Sequence, residues 1–298
     1  MLTALAGCAP AQSDMSDDEL LGTLPDQVGM GNQSGLSQSD YTPNGTVLLD
    51  NGTLKITVDD LRVQEYGAVD VDLFLENTGD QSLTVSALNC SVNGYMVGAS
   101  FYCDVSAQND AQETLILYTN EVATELGLTD LADLSVSFSI SAPDGSRTVT
   151  DPCTLTTPTA SLYDYSSLLL KALRDSNWII ADNHQLLYAA TDPLYDQDGL
   201  SLPVACLVRN AFDERELKLE LYNTAADKGL VELGNISLNS TVLSGESYSF
   251  YFIAPGKRYL ATINLDDLAN SDPQGDYSQL REISFTLNGE AVTITVSQ

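Results

Sequence analysis

Residues 89–105, NCSVNGYMVGASFYCDV, are repeated in pattern by residues 235–253, NISLNSTVLSGESYSFYFI. A repeat of this length marks one structural unit used twice. Working outward, Asp50-Asn51 opens one copy and Asp182-Asn183 the other. The alternating run Val69, Val71, Leu73, Leu75 falls at a constant offset on Leu202, Val204, Cys206, Val208, which places Asn77 on Asn210. Cys90, Val92, Gly94 and Met96 then fall on Ile236, Leu238, Ser240 and Val242, across an insertion around residues 225–234. Phe138 and Ile140 meet Phe285 and Leu287, and residues 149–155 meet residues 292–296.

The repeated unit reads as β. Period-two runs such as Leu54-Ile56-Val58, residues 69–75, Leu83-Val85 and residues 134–140 alternate with turn signals, among them Asp50-Asn51-Gly52, Asn77-Thr78-Gly79-Asp80 and Pro143-Asp144-Gly145. About seven strands per module is sandwich spacing. Residues 122–126 and 266–269 read as short helical crossovers. Between the copies, residues 161–176, SLYDYSSLLLKALRDS, place Leu162, Tyr165, Leu169, Ala172 and Leu173 on one helical stripe, which should dock on a module rather than face water. Trp178 follows as a core or interdomain plug. The expected architecture is all-β: two tandem immunoglobulin-like β-sandwich modules, residues 46–158 and 177–298, joined by a short α-helix within residues 159–176. A disordered N-terminal tether, residues 9–45, precedes them. It is rich in Ser, Gly, Gln and Asp, and too poor in apolar residues to offset its ordering entropy.

With 42 acidic and 12 basic residues in 298, the formal net charge of -30 repels phosphate backbones, so nucleic acid is not an expected partner. Residues 1–8, MLTALAGC, end in Leu5-Ala6-Gly7-Cys8, which resembles the lipobox at which bacterial lipoproteins are cut and acylated. Membrane attachment is therefore expected through lipid on Cys8, on the extracytoplasmic face of the cell membrane. The other cysteines, Cys90, Cys103, Cys153 and Cys206, match Ile236, about Phe250, Val296 and Leu73 in the opposite copy. Apolar counterparts point to free thiols in sandwich cores. A Cys90–Cys103 bridge is the alternative that an extracytoplasmic location permits.

The lipobox, the polar tether, the strand ending near Asn77, the SVNGYMV segment and the Ala254-Pro255-Gly256-Lys257 turn together resemble the telokin-like, immunoglobulin-fold modules of Gram-positive bacterial lipoproteins. That resemblance implies a surface-anchored β-sandwich protein and brings no catalytic residue.

Chemistry is sparse in the sequence. GxSxG, HExxH, P-loop and dinucleotide-binding motifs are absent, and the single histidine, His184, reads as a turn residue. Asp192, Asp196 and Asp198 in TDPLYDQDGL are weak candidates for a calcium loop, without the spacing of a helix-loop-helix site. No cofactor is expected. The favoured function is a non-catalytic binding or adhesion protein that offers Tyr95 and Tyr251 to a protein or glycan, with Phe250 and Phe252 turned inward. A structural spacer in a cell-envelope complex and a hydrolase using an acidic pair are the alternatives.

Overall fold

The computed structural model describes residues 43–64, 67–174, 185–227, 229–243, 249–270 and 279–296. Cys8, most of the tether, Trp178 and His184 lie outside the described residues. The first module begins with β1 (Thr46–Asp50), β2 (Leu54–Val63), β3 (Val69–Asn77) and β4 (Leu83–Val92). The short strands β5 (Tyr95–Met96), β6 (Gly98–Ser100) and β7 (Tyr102–Val105) lead to β8 (Asn109–Tyr118) and helix α1 (Asn120–Leu126). Strands β9 (Asp133–Ser141), β10 (Arg147–Val149) and β11 (Cys153–Thr156) close the module. One sheet runs β1-β2-β3-β8-β6; in the other, β4 takes β7 and β9, and β9 takes β10 and β11. The two sheets share one core, in which Val71, Leu73, Leu115, Val85 and Phe138 are buried together. This division of strands is immunoglobulin-like.

After helix α2 (Leu168–Arg174) the second module supplies β12 (Gln185–Ala190), β13 (Tyr195–Gln197), β14 (Leu200–Arg209), β15 (Arg215–Asn223) and β16 (Leu230–Leu238). Strands β17 (Thr241–Val242), β18 (Ser249–Phe252) and β19 (Arg258–Asn264), helix α3 (Leu265–Asn270), and strands β20 (Glu282–Leu287) and β21 (Glu290–Thr295) follow. β14-β15-β19 repeat β2-β3-β8, and β18-β16-β20 repeat β7-β4-β9. The duplication is therefore real, but its register differs from the expected one by a whole hairpin. β3 corresponds to β15, not β14, and Asn77 to Asn223, not Asn210. Asn77 Nδ2 donates to the Val105 carbonyl and its Oδ1 accepts from Gly79; Asn223 does the same with Ile253 and Ala225. With this alignment the expected insertion at residues 225–234 disappears. Phe138 then meets Leu287, and Val136 meets Phe285.

The quoted stretches hold the closest match. Asn89 and Asn235 both take a positive φ at a bulge in the pairing with β9 and β20. Asn93 and Asn239 open type I′-like turns, and each side chain accepts two backbone N–H groups from the last strand-entry loop: Ala132 and Asp133 in one copy, Arg281 and Glu282 in the other. Each therefore satisfies backbone donors that the bulged strand does not pair, buried ones in the first copy and more exposed ones in the second.

The modules are fused. β5 and β19 pair in parallel at Tyr95 and Arg258, joining the inner sheets into one sheet of eleven strands. The face of β14 and β15 turned away from β16, β20 and β21 is covered by the first module, so Val204, Cys206 and Val208 belong to its core cluster. Lys218 and Glu220, on that same face, have no exposed surface. Glu220 Oε2 accepts from Tyr95 Oη at 2.6 Å, Ser167 Oγ at 3.0 Å and Leu169 N at 3.2 Å, while Arg258 Nη1 donates to Oε1 at 3.0 Å. Lys218 pairs with Glu125 of α1 and with Glu216.

The linker helix is shorter than its periodicity suggests. Pro158–Ser161 form a 3-10 turn, Ser166 N donates to Asp164 Oδ1, and Ser167 Oγ caps α2 by accepting from Leu170 N. Leu162 is 90% exposed, whereas Leu169 and Ala172 are buried and Leu173 is packed against the core. Docking thus holds for the second half of the stripe only, because the local serine and aspartate bonds compete with helix before residue 168.

Two outcomes follow from this buried network. Tyr95→Phe should cost about 1–3 kcal/mol and Glu220→Gln about 3–5 kcal/mol, because each leaves buried groups short of partners. Urea titration would measure both, and calorimetry of the parent should show the two modules unfolding in one transition. Burial and the Glu220 charge raise the Tyr95 pKa. Burial alone would lower the Lys218 pKa, but Glu125 and Glu216 outweigh it and raise it. Both groups hold a proton more tightly folded than unfolded, so their contribution is complete below about pH 10 and is lost as pH rises beyond it. A urea midpoint that is steady from pH 7 to 9 and falls by pH 11 is expected, with a shallower fall in Tyr95→Phe.

Candidate functional site: an apolar sheet edge

The expected ligand face is rearranged. Tyr95 is 1% exposed and its hydroxyl donates to Glu220 while accepting from Leu168 N, so it is an interface residue and not a contact for an outside partner. Tyr251 is half-buried and lies opposite the buried Val231, with its ring 4.6 Å from that of Tyr259. Its neighbours Phe250 and Phe252 point outward, 62% and 43% exposed, which reverses the expected inward and outward assignments on β18. The physical reason is register: Tyr251 shares the face of Val231 and Leu233, which are in the core.

The corrected repeat gives this strand an internal control. β7 and β18 are equivalent edge strands, each paired among the described residues with one partner, β4 or β16. Facing outward in the first module are the cross-strand pairs Ser86 with Tyr102 and Thr84 with Asp104, and Thr84 Oγ1 donates to Asp104 Oδ1 at 2.6 Å. At the same positions the second module has Glu232 with Phe250 and Leu230 with Phe252. Leu230 is 60% exposed. A charged, hydrogen-bonded pair that discourages strand addition has thus been replaced by two adjacent apolar side chains. Farther along that face Ser284, Thr286 and Thr293 lie across β20 and β21, with the exposed Val242 on β17 and Ala291 on β21.

The other candidates are not brought together. Asp192, Asp196 and Asp198 are all exposed, and Asp198-Gly199 form the positive-φ turn between β13 and β14. Among the described residues no group of three or more His, Cys, Asp or Glu side chains is placed to hold a metal ion. A depression of about 300 Å³ on the outer face of β2-β3-β8 is lined by Asp59, Asp72 and Glu113. There the hydrogen bond from Arg62 outweighs desolvation and holds Asp72 below the ordinary carboxylate range, so Asp72 carries no proton to donate at neutral pH.

Cys90, Cys103, Cys153 and Cys206 are free thiols. Cys103 pairs with Val85 on β4, and Cys90 lies five residues farther along that strand, roughly 16 Å away and beyond disulfide reach. Cys103 matches Tyr251 rather than Phe250. Burial pushes both Cys90 and Cys206 up to about 12, while Cys153 is only partly covered. At pH 8 a thiol reagent should label Cys153 first and reach Cys90 and Cys206 only on unfolding. Cys206→Val should change stability by less than ~1.5 kcal/mol. Mass spectrometry of a labelling time course checks the order.

No family model matches the chain, and no curated protein is similar to it. Solved structures with some likeness include the YadV chaperone, at 11% identity and TM-score 0.21 over 75% of this chain and 89% of that one. The CsuC–CsuE chaperone–tip adhesion subunit complex of Acinetobacter baumannii gives 14% and 0.23 over 77% and 92%. A protein of unknown function from Porphyromonas gingivalis gives 13% and 0.23 over 82% and 98%. At these TM-scores the likenesses carry no functional argument, and the assignment of an all-β, immunoglobulin-like fold rests on the strand order and shared cores described above.

Proposed function

We propose that the chain is a non-catalytic binding or adhesion lipoprotein, anchored through lipid on Cys8 at the extracytoplasmic face of the membrane. In this reading the β18 edge of the second module is its contact surface for a protein or glycan. The observation that carries the reading is the pair Leu230 and Phe252, apolar and exposed where the first module has Thr84 and Asp104. Covering a fully exposed Leu or Phe is worth roughly 1.5–3 kcal/mol, so a partner that hides these side chains gains affinity from them. The resemblance to lipoprotein modules supports the anchored location. Fusion of the modules through Glu220 supports a second reading, a rigid spacer, because one continuous sheet holds a fixed shape.

Retention on envelope fractions and on a glycan array separates these. Phe250→Ser with Phe252→Ser should abolish retention while leaving the circular dichroism spectrum unchanged. Equal retention by parent and variant would remove β18 as the contact surface. No retention by either would favour the spacer.

A further inference from the structure

We propose that the partner of the β18 edge is an extended, basic polypeptide segment that joins the second module as an added antiparallel strand. This rests on the binding reading above and specifies its chemistry. β18 pairs on one side only among the described residues, and its outer side offers backbone donors and acceptors with no strand partner among them, which a sixth strand completes. Alternate side chains of such a strand, two residues apart, fall beside Phe250 and Phe252. The charge of the partner follows from what lies around the edge. Glu232 sits opposite Phe250 and belongs to none of the ion pairs among the described residues, and the whole chain carries a formal charge of -30. Basic residues beside the apolar ones would be drawn to this edge, whereas a second copy of the chain brings the same large negative charge and is repelled.

On β7 Tyr102 is as exposed as Phe250, but the next outward residue is Asp104, hydrogen-bonded to Thr84 and Tyr102, so the apolar pair is missing. The two edges share their backbone pairing and differ in outward side chains, so recognition is assigned to those side chains together with the open backbone.

The probe is an eight-residue peptide alternating valine and lysine, with two further versions N-methylated at one or the other alternate set of residues. The unmodified peptide should slow amide hydrogen exchange at residues 249–252 and leave residues 102–105 unchanged. One N-methylated version should bind at least tenfold more weakly, and the other about as well as the parent, because only one edge of an added strand faces β18. Leu230→Thr with Phe252→Asp, which installs the outward pair of the first module, should also weaken binding at least tenfold. Thr84→Leu with Asp104→Phe should give the β7 edge a new peptide-dependent protection.

Equal binding of both methylated peptides would reduce the interaction to charge attraction and overturn strand addition. Absence of protection at residues 249–252 would overturn it as well. If the edge variant still loses retention on envelope fractions in that case, the binding reading survives and only the strand-addition mode falls. Binding to defined glycans that the edge variant abolishes would replace the peptide with a sugar. A peptide-free dimer in sedimentation, dissolved by Leu230→Thr with Phe252→Asp, would replace it with a second copy.

Discussion

A carboxylate with no exposed surface holds the two β modules together. An isolated buried charge is strongly unfavourable, and Glu220 is tolerated because four donors meet its two oxygens. Those donors come from β5 of the first module, from the start of α2 and from β19 of the second. Tyr95 and Ser167 each donate to the carboxylate and accept a backbone N–H of α2, from Leu168 and Leu170, while Leu169 bonds the carboxylate directly. The first turn of the helix is therefore capped by residues of both modules. Displacing any one of these elements leaves a buried charge or a buried N–H unpaired, so interdomain angle, helix position and sheet continuity are fixed together.

The duplication makes clear why the sequence did not disclose this. Lys218, Glu220 and Tyr222 occupy the positions that Asp72, Phe74 and Glu76 hold in the first module. There Asp72 faces Arg62 and Thr114 at the surface, which is how charges at alternate strand positions ordinarily read. Nothing in the alternation of β15 distinguishes a face open to water from one covered by another module. The consequence reached Tyr95, expected to face outward with Tyr251, whose hydroxyl instead finishes the Glu220 shell. Aromatic residues with one polar atom fit either role, and only the partner decides.

Other parts were legible to the extent that side chains determine backbone locally. Asn93 and Asn239 stand at matched positions because their turn takes a positive φ and their side chains bond the backbone of the loop opposite, a combination few residues meet. The sandwich class followed from turn spacing, and α1 and α3 stand where short helical crossovers were expected. Register was less secure. β14 and β15 are neighbouring strands with the same period, and each ends in a turn headed by asparagine, so Val69–Leu75 could be laid on either. The gapless match of Asn77-Thr78 with Asn223-Thr224 was the available signal. Helix α2 was overextended for a related reason: Leu162 and Tyr165 have the right spacing, but Asp164 and Ser167 bind the backbone first.

Correct register is what turns an aromatic run into an argument about function. With Phe250 and Phe252 inward, β18 would be ordinary core, and its exposed residues would be unremarkable. With Tyr251 inward, two phenylalanines and Leu230 stand at the surface of an edge strand whose twin carries a hydrogen-bonded aspartate. The two copies retain the same Asn-centred turns and the same bulges, so the fold itself does not require the apolar outward pair. An exposed apolar edge works against solubility and invites association. The apolar pair Leu230 and Phe252 stands in one copy only, and the chain's formal charge of -30 works against self-association through it.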